Sequence, residues 1–524
     1  TNSDSFNNGR VLPLLQSPRS SNSSSNNSTS NNNGSLLLLQ SSSANSSSIA
    51  PHILMLEQEL GIIVADLRNK SDDVRAGAVC NLWGFLEKWS HELYGAEQDS
   101  FLDYMQRWSS KLIEANTAAE RAAGVRIIDW MLVGSGASER EETASRLGQL
   151  CKQTETALRG FPTDPTLTTY CATCIGNIAR VGGSFCADAI EAQVRRALEW
   201  FAGDWKLAGA LILKAIAEGK PAVFYVHVPT FSQHLTMALS DKSQPIRAAT
   251  YSALCAAMDV CESRASTSKS QWYTRIYDWA KHCATTPAET TEAVHAALLV
   301  FDAMLTHAKE FIAPRFTEVC SLVISKRSDR DKIIRLAVMS LLPKLATFIS
   351  SSFLQIIGEI SITWLISIIS KSTPPAERTF AFSALGELAQ ILGAGLEPFS
   401  SVIVSAMTSV LSTKSVALTS EAIGCASQLT KVLHSQQLES TLATLVPQFF
   451  ESGLAPPLIN ALNELCSSFP NLLPAVQKQM FELLSGILNP AYLNRAHIPR
   501  RTALTPPPQV QLPLPSSSMI DSDT

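Results

Sequence analysis

The residues that could do chemistry are few and poorly spaced for it. Cys171-Ala-Thr-Cys174 has the CxxC spacing used for redox exchange or for half of a zinc site. Zinc needs two further ligands at comparable spacing, and none is present. Both cysteines fall on the apolar stripe of a helix, where a thiol packs as a small hydrophobe. His282–Cys283 places a base beside a nucleophile, but adjacent residues on a helix face different ways. The nine histidines include no HExxH pair. "GSGAS" (134–138) and "VGGSF" (181–185) are Gly-rich, yet neither follows a strand or matches GxxxxGK or GxGxxG, so both read as loops between helices. No HRD, DFG or GxSxG element occurs. The sequence therefore assigns no catalytic, cofactor-binding or metal-ligating residue, and an active site within the chain is not expected.

Bulk properties point the same way. The chain has 524 residues, too many for one ordinary single-core domain. Charged residues are 17% of the chain, below the usual share of roughly 25%. Hydrophobic residues are 45%, a balance that suits helices buried on more than one side. The net charge is −4, and Arg195–Arg196, Lys326–Arg327 and Arg500–Arg501 are isolated basic pairs, which argues against nucleic acid as a partner. Eleven cysteines lack framework spacing and read as reduced, buried thiols of a cytoplasmic protein. "LLLL" at Leu36–Leu39 is far too short to span a bilayer. The greasier stretch from Phe353 to Ile369 is interrupted by Gln355 and Glu359 and reads as a buried helix, so no membrane span is expected. The chain begins with Thr1 rather than Met and is expected to be a fragment of a longer product.

Residues 1–50 are mostly Ser and Asn and cannot bury enough surface to offset their ordering entropy, so a disordered leader is expected there. Residues 496–524 are Pro- and Ser-rich and read as a linker or frayed end. Residues 51–495 between them should be ordered. In "SDDVRAGAVCNLWGFL" (71–86), Val74, Ala78, Leu82 and Phe85 fall on one helical face, with Asn81 as an exception. The template recurs at Gly124/Ile127/Ile128/Met131, Cys171/Cys174/Ile175/Ile178, Gly209/Ile212/Leu213/Ile216 and Thr250/Ala253/Leu254/Ala257. It continues at Ala297/Val300/Phe301/Met304, Val338/Leu341/Leu342/Leu345 and Ala381/Ala384/Leu385/Leu388. A weaker copy at Ala426/Leu429/Leu433, broken by Thr430, precedes Leu462/Leu465/Cys466/Phe469.

The second residue of each template marks the copies at 75, 121, 168, 206, 247, 294, 335, 378, 423 and 459. The steps of 46, 47, 38, 41, 47, 41, 43, 45 and 36 residues are those of HEAT and armadillo-type repeats. Positions 75, 121, 247, 335 and 378 are Arg, and 206 is Lys. Asp72–Asp73, Asp204, Asp241 and Asp331 precede the markers, as helix caps or as partners bridging neighbouring repeats. Each marked helix follows another apolar helix, for example "AIEAQVRRALEWF" and "RFTEVCSLVIS". "AVFYVHVPTF" (222–231) is β-branched and aromatic, but Pro229 and the regular spacing favour a turn into a helix. The expected fold is all-α, an α-α superhelix of about ten helix pairs.

Armadillo carriers of nuclear-localisation peptides use Trp-xxx-Asn arrays. Here the residues four after each Trp, such as Glu87, Leu93 and Asp204, are never Asn, which weighs against such a carrier. Several strings are more specific. "VRRALEWF" (194–201), "SQWYTRIYDWA" (270–280), "HAALLVFDAML" (295–305), "AVMSLLPKLATF" (337–348), "ERTFAFSALGELA" (377–389) and "GLAPPLINALNELCSSFPNLLPAVQKQMFELLSGIL" (453–488) appear in collinear order. They resemble the N-terminal HEAT region of TOR, target of rapamycin, a phosphatidylinositol-kinase-related Ser/Thr kinase.

The resemblance implies a non-catalytic scaffold in nutrient and growth signalling. ATP and magnesium would belong to a kinase domain absent here. It implies protein partners: a Raptor-like adaptor, a Rheb-like GTPase and the rest of the TOR chain in a dimeric complex. It implies a cytoplasmic location, peripheral on endomembranes through partners, with the nucleus also compatible. The chain is short between His307 and Arg315, where relatives are expected to carry a longer insertion. The Ser/Asn leader has no obvious family counterpart. The alternative is a stand-alone HEAT adaptor, a phosphatase scaffold or transport receptor.

Overall fold

The computed structural model describes residues 51–133, 144–182, 186–264, 267–287, 289–370, 375–411 and 456–488, with scattered positions at 184 and between 422 and 450. The chain divides into a unit ending at Gln58, described only over residues 51–58, and a second unit, Glu59–Thr524. Among the described residues every regular element is a helix. In sequence order α1 (Pro51–Leu67) precedes α2 (Asp72–Glu92), and the helices that follow pair as α3 (Ala96–Ile113) with α4 (Ala118–Val133) and α5 (Ala144–Leu158) with α6 (Pro165–Val181). Next come α7 (Ala187–Ala202) with α8 (Lys206–Gly219), α9 (Pro221–Leu239) with α10 (Gln244–Glu262), and α11 (Thr267–Thr285) with α12 (Thr291–His307). The short α13 (Lys309–Ile312) leads into α14 (Phe316–Ser325), which pairs with α15 (Lys332–Phe348). The turn α16 (Ser350–Phe353) leads into α17 (Glu359–Ser370), which pairs with α18 (Pro375–Leu392), followed by α19 (Ser400–Leu411). Helices Pro456–Ser468 and Leu473–Leu488 end the described chain.

Within the second unit the pairs stack in two layers. The second members form one layer: α2 packs on α4, α4 on α6, α6 on α8, α8 on α10, α10 on α12, α12 on α15 and α15 on α18. The first members form the other: α3 on α5, α5 on α7, α7 on α9, α9 on α11 and α11 on α14. No single pair could bury its apolar face alone, and the neighbours on either side supply the cover. The predicted stripe is that buried face. Ile127, Cys174, Ile212, Leu254, Phe301, Leu342 and Leu385 are all buried, as is Leu82 in the first copy. Burying one such side chain stabilises by roughly 1.5–3 kcal/mol. Val74 differs: it is 37% exposed, because it sits in the first turn of α2, ahead of the packed part of the helix. Of the weaker copy at Ala426/Leu429/Leu433, Leu429 is buried, while Ala426, Thr430 and Leu433, the leader (1–50), the Pro/Ser-rich end (496–524) and "GSGAS" (134–138) lie outside the described residues.

Three of the marker residues turn out to be clips on the turn inside their own pair. Arg75 Nη1 donates to the carbonyls of Asn69 (2.7 Å) and Lys70 (3.0 Å). Arg247 Nη1 does the same to Asp241 (2.7 Å) and Lys242 (2.9 Å), and Arg335 Nη1 to Asp329 (2.7 Å) and Arg330 (2.8 Å). In the same turns the side chains of Asn69, Asp241 and Asp329 accept from the backbone N–H of Ser71, Ser243 and Asp331 at 2.9–3.0 Å. Three turns thus share one heptad, "NKSDDVR", "DKSQPIR" and "DRDKIIR". The guanidinium satisfies two carbonyls of the turn that follows the ending helix.

The acidic residues near the markers split by role. Asp331 caps α15, accepting from Ile333 N–H at 2.7 Å, as expected. Asp72–Asp73 is not a cap: Ser71 occupies that position, both aspartates lie in the first turn, and Asp72 pairs with Arg75 of its own helix. A bridge between repeats forms where Lys206 Nζ reaches Asp241 at 2.7 Å. Further bridges run from Arg68 to Glu120 (2.8 Å) and from Arg335 to Glu377.

Gly124 and Gly209 hold equivalent positions, three residues after the markers Arg121 and Lys206. A Cβ on Gly209 would lie 2.6 Å from Phe201 N, and one on Gly124 would lie 2.9 Å from the Ser109 carbonyl. Each glycine lets a helix lie against the backbone of its pair-mate. "AVFYVHVPTF" is not a turn: it is fully helical within α9, with Pro221 at the start and Pro229 inside. Burial of Phe224, Val228 and Phe231 outweighs the hydrogen bond that Pro229 forfeits. Two stretches, Ser350–Ser370 and Ala376–Ile403, are apolar and long enough to cross a membrane, but half of each is buried. The first carries a π-turn at Leu354–Gly358, and the second is divided by the 3-10 segment Gly393–Phe399, so both are packed repeat helices.

Candidate protein-interaction surface

The layer of second helices presents a polar face ordered by contacts between repeats. On α4, the Arg126 guanidinium stands 4.3 Å from the Trp83 ring of α2 and 4.9 Å from the Tyr170 ring of α6. One cation thereby links three successive repeats. Asp129 of α4 accepts from Asn177 Nδ2 of α6 at 2.6 Å, and Arg180 donates to Asn177 Oδ1 at 2.8 Å. Burial pushes the Asp129 carboxyl above its ordinary value, against the opposing pull of Asn177 and Arg126.

Further along, Asp302 of α12 is a hub. It accepts from Tyr251 OH of α10 at 2.7 Å through Oδ2 and from Lys344 Nζ of α15 at 2.5 Å through Oδ1. His307 of α12 contacts Asp259 of α10 at 2.5 Å. Burial first, then the Asp302 carboxylate, raises the Tyr251 phenol well above its usual range, so it stays a hydrogen-bond donor. Thr173, Arg180, Glu218, Asp259, Lys344 and Glu387 stay exposed on this face. The other layer is tied in its own way: Glu318 of α14 accepts from Tyr277 OH and pairs with Lys281 Nζ of α11, both at 2.5 Å. These contacts hold helix spacing and leave a mixed-charge surface, suited to polar contacts with a folded partner.

The residues first considered for chemistry are placed as follows. Cys171 and Cys174 are buried, and burial drives both thiols well above the ordinary value of 9.0. They are unreactive structural thiols. His282 is exposed and Cys283 buried, with burial and then Glu289 pushing the thiol up to about 11, so Cys283 is no activated nucleophile. One is exposed and the other buried, yet His282, Cys283 and Glu289 bring ligand atoms within 4.8 Å of one another. Of "VGGSF", Val181 ends α6 and Gly182 follows it, while residues 183 and 185 lie outside the described set. The open depression along α11 lined by Ser270, Gln271, Thr274, Arg275 and Asp278 brings together no nucleophile and base. The Arg126 sandwich and the Asp302 hub went unrecognised in the sequence, because their partners lie on other repeats.

No family model matches the chain. By sequence it is similar to the Ser/Thr-protein kinase TOR of Oryza sativa subsp. japonica, at 29% identity over 83% of this chain and 17% of that protein. It is 28% identical to TOR of Arabidopsis thaliana over 84% of this chain and 18% of that protein. It is 26% identical to tor1 of Schizosaccharomyces pombe over 81% and 18%. The chain thus spans less than a fifth of the length of these relatives. By structure it is similar to importin beta crystallised in ammonium sulfate, with a TM-score of 0.52 and 13% identity over 84% of this chain and 63% of that one. That likeness concerns the fold. The matched region here is helical repeat throughout its described residues and holds no kinase motif. Among its described residues the chain is a HEAT-type stack of helix pairs, it is similar in sequence to the TOR Ser/Thr protein kinases, and its sequence holds neither the HRD nor the DFG motif of a kinase domain.

Proposed function

We propose that this solenoid is the N-terminal, non-catalytic scaffold of a TOR-type kinase in nutrient and growth signalling. It docks protein partners and helps to assemble the kinase complex. The observation that supports this reading is the match to plant TOR kinases over 83% of the chain, in a region whose described residues form helix pairs. Partner docking is the role open to such a stack, whose energy goes into packing and whose exposed faces are extended and polar. The partners follow from the relatedness: a Raptor-like adaptor, a Rheb-like GTPase, and the rest of the kinase chain in a dimeric assembly. The parent's ATP and magnesium chemistry belongs to that other part of the chain.

Affinity capture tests the reading. The tagged chain, expressed in its own cells, is expected to recover a Raptor-like adaptor and the catalytic part of TOR. Recovery of phosphatase subunits or a Ran-type GTPase, without either of those, would favour a stand-alone adaptor instead.

A further inference from the structure

We propose that His282, Cys283 and Glu289 bind one zinc ion at the end of α11, on the turn that leads into α12. The three side chains offer a nitrogen, a sulfur and an oxygen, and their ligand atoms all lie within 4.8 Å of one another. His282 Nδ1 is 3.6 Å from the Glu289 carboxylate. Ligands held at tetrahedral zinc distances sit roughly 3.3–3.8 Å apart, so small side-chain movements close the set around an ion. Mixed nitrogen, sulfur and oxygen donors suit zinc better than magnesium or calcium, which prefer oxygen alone.

The surroundings favour the same ion. The Thr286 hydroxyl stands 3.4 Å from His282 Nε2. Accepting from Nε2–H, it selects the tautomer whose Nδ1 lone pair faces Glu289. The carbonyl end of α11 adds partial negative charge beside the three ligands, favourable to a cation. Exposed His282 gives access from solvent, while buried Cys283 anchors the site in the repeat. Coordination forms a zinc–sulfur bond and releases the thiol proton to water.

The location gives the ion a structural task. The turns at 69–75, 241–247 and 329–335 are fastened by the arginine clip. The turn before α12 has Val294 in place of the arginine and Ala288 in place of Asn or Asp. Zinc held between α11 and Glu289 fastens a turn that lacks the clip.

Cobalt(II) is the probe. Titrated into the purified 524-residue chain, it should bind once per molecule with a sulfur-to-cobalt charge-transfer band that zinc displaces. Cys283→Ser should abolish the band, and His282→Ala and Glu289→Gln should each weaken binding at least ten-fold. Zinc should raise the melting midpoint of the native chain and leave that of His282→Ala unchanged. Should Cys283→Ser fail to fold, the His282 and Glu289 variants decide. Absence of the band at saturating cobalt, or binding that is unaltered in His282→Ala and Glu289→Gln, would overturn the proposal.

Discussion

Arg335 and Glu377 meet across the junction between α15 and α18, where the guanidinium spans both carboxylate oxygens at 2.5 and 3.3 Å. The same guanidinium clips the turn that precedes its own helix, through the carbonyls of Asp329 and Arg330. Glu377 is 3% exposed, so the guanidinium stands where water would otherwise solvate the carboxylate. One arginine thus fastens both the inside of a repeat and the joint to the next.

Arg335→Met should therefore destabilise the chain by about 3 kcal/mol, because it strands a buried carboxylate and leaves the Asp329 and Arg330 carbonyls without their donor. Glu377→Gln should cost less, about 1 kcal/mol, since the amide still accepts from the guanidinium. Chemical denaturation of both single variants and the double variant gives the coupling energy. Strict additivity would show that the crossing pair carries no stability.

Leu82 is 1% exposed at the centre of the first described copy of the stripe. Leu82→Asp should cost about 3 kcal/mol or more, through lost apolar burial and a charge with no partner. Circular dichroism on heating should show an earlier loss of helix. A variant with native helicity and melting midpoint would contradict the assignment of that face to the core.

Gly209→Ala tests the close approach of α8 to α7. The new Cβ would lie 2.6 Å from Phe201 N and 2.7 Å from the Ala197 carbonyl, and backbone cannot yield cheaply. A loss of about 1–3 kcal/mol is expected, despite the better helix propensity of alanine. A stabilised variant would mean that the two helices separate freely.

Glu318 tests the tie between α11 and α14. The hydrogen bond from Lys281, then that from Tyr277, holds its carboxyl below the ordinary value of 4.5. A carboxyl more acidic in the folded than in the unfolded chain stabilises at pH above its unfolded value. That contribution disappears as pH falls from 4.5 through the folded value. Glu318→Gln should therefore melt below the native chain near neutral pH, with the gap closing as acid is added. A gap of constant size down to about pH 3 would exclude this linkage.

The two-layer repeat could be read from sequence because helical periodicity at Ile127, Ile212, Phe301 and Leu385 repeats with little interruption. The clip could also have been read, since the three heptads share an Asn or Asp, a basic residue, a Ser or Asp, and Arg at fixed places. The pattern is spread over four of seven positions, and the fourth and fifth positions vary freely among the three turns. Pro229 misled because proline usually punctuates, whereas the burial of Phe224 and Phe231 carries α9 through it. The Asp302 hub could not be read at all. Its partners Tyr251 and Lys344 lie 51 and 42 residues away, and only the rotation of three packed helices brings them together. The His282–Cys283–Glu289 group was hidden likewise, because the turn after α11 brings Glu289 back to residues whose side chains were expected to diverge.

The central claim is that these repeats dock protein partners as part of a TOR-type kinase. Its most direct test is equilibrium binding of the purified chain to the Raptor-like adaptor of the same organism, with Leu82→Asp run in parallel. The native chain is expected to bind saturably at micromolar concentrations or tighter, and the variant markedly more weakly. A native chain that is helical and melts cooperatively, yet shows no binding to that adaptor, would contradict it.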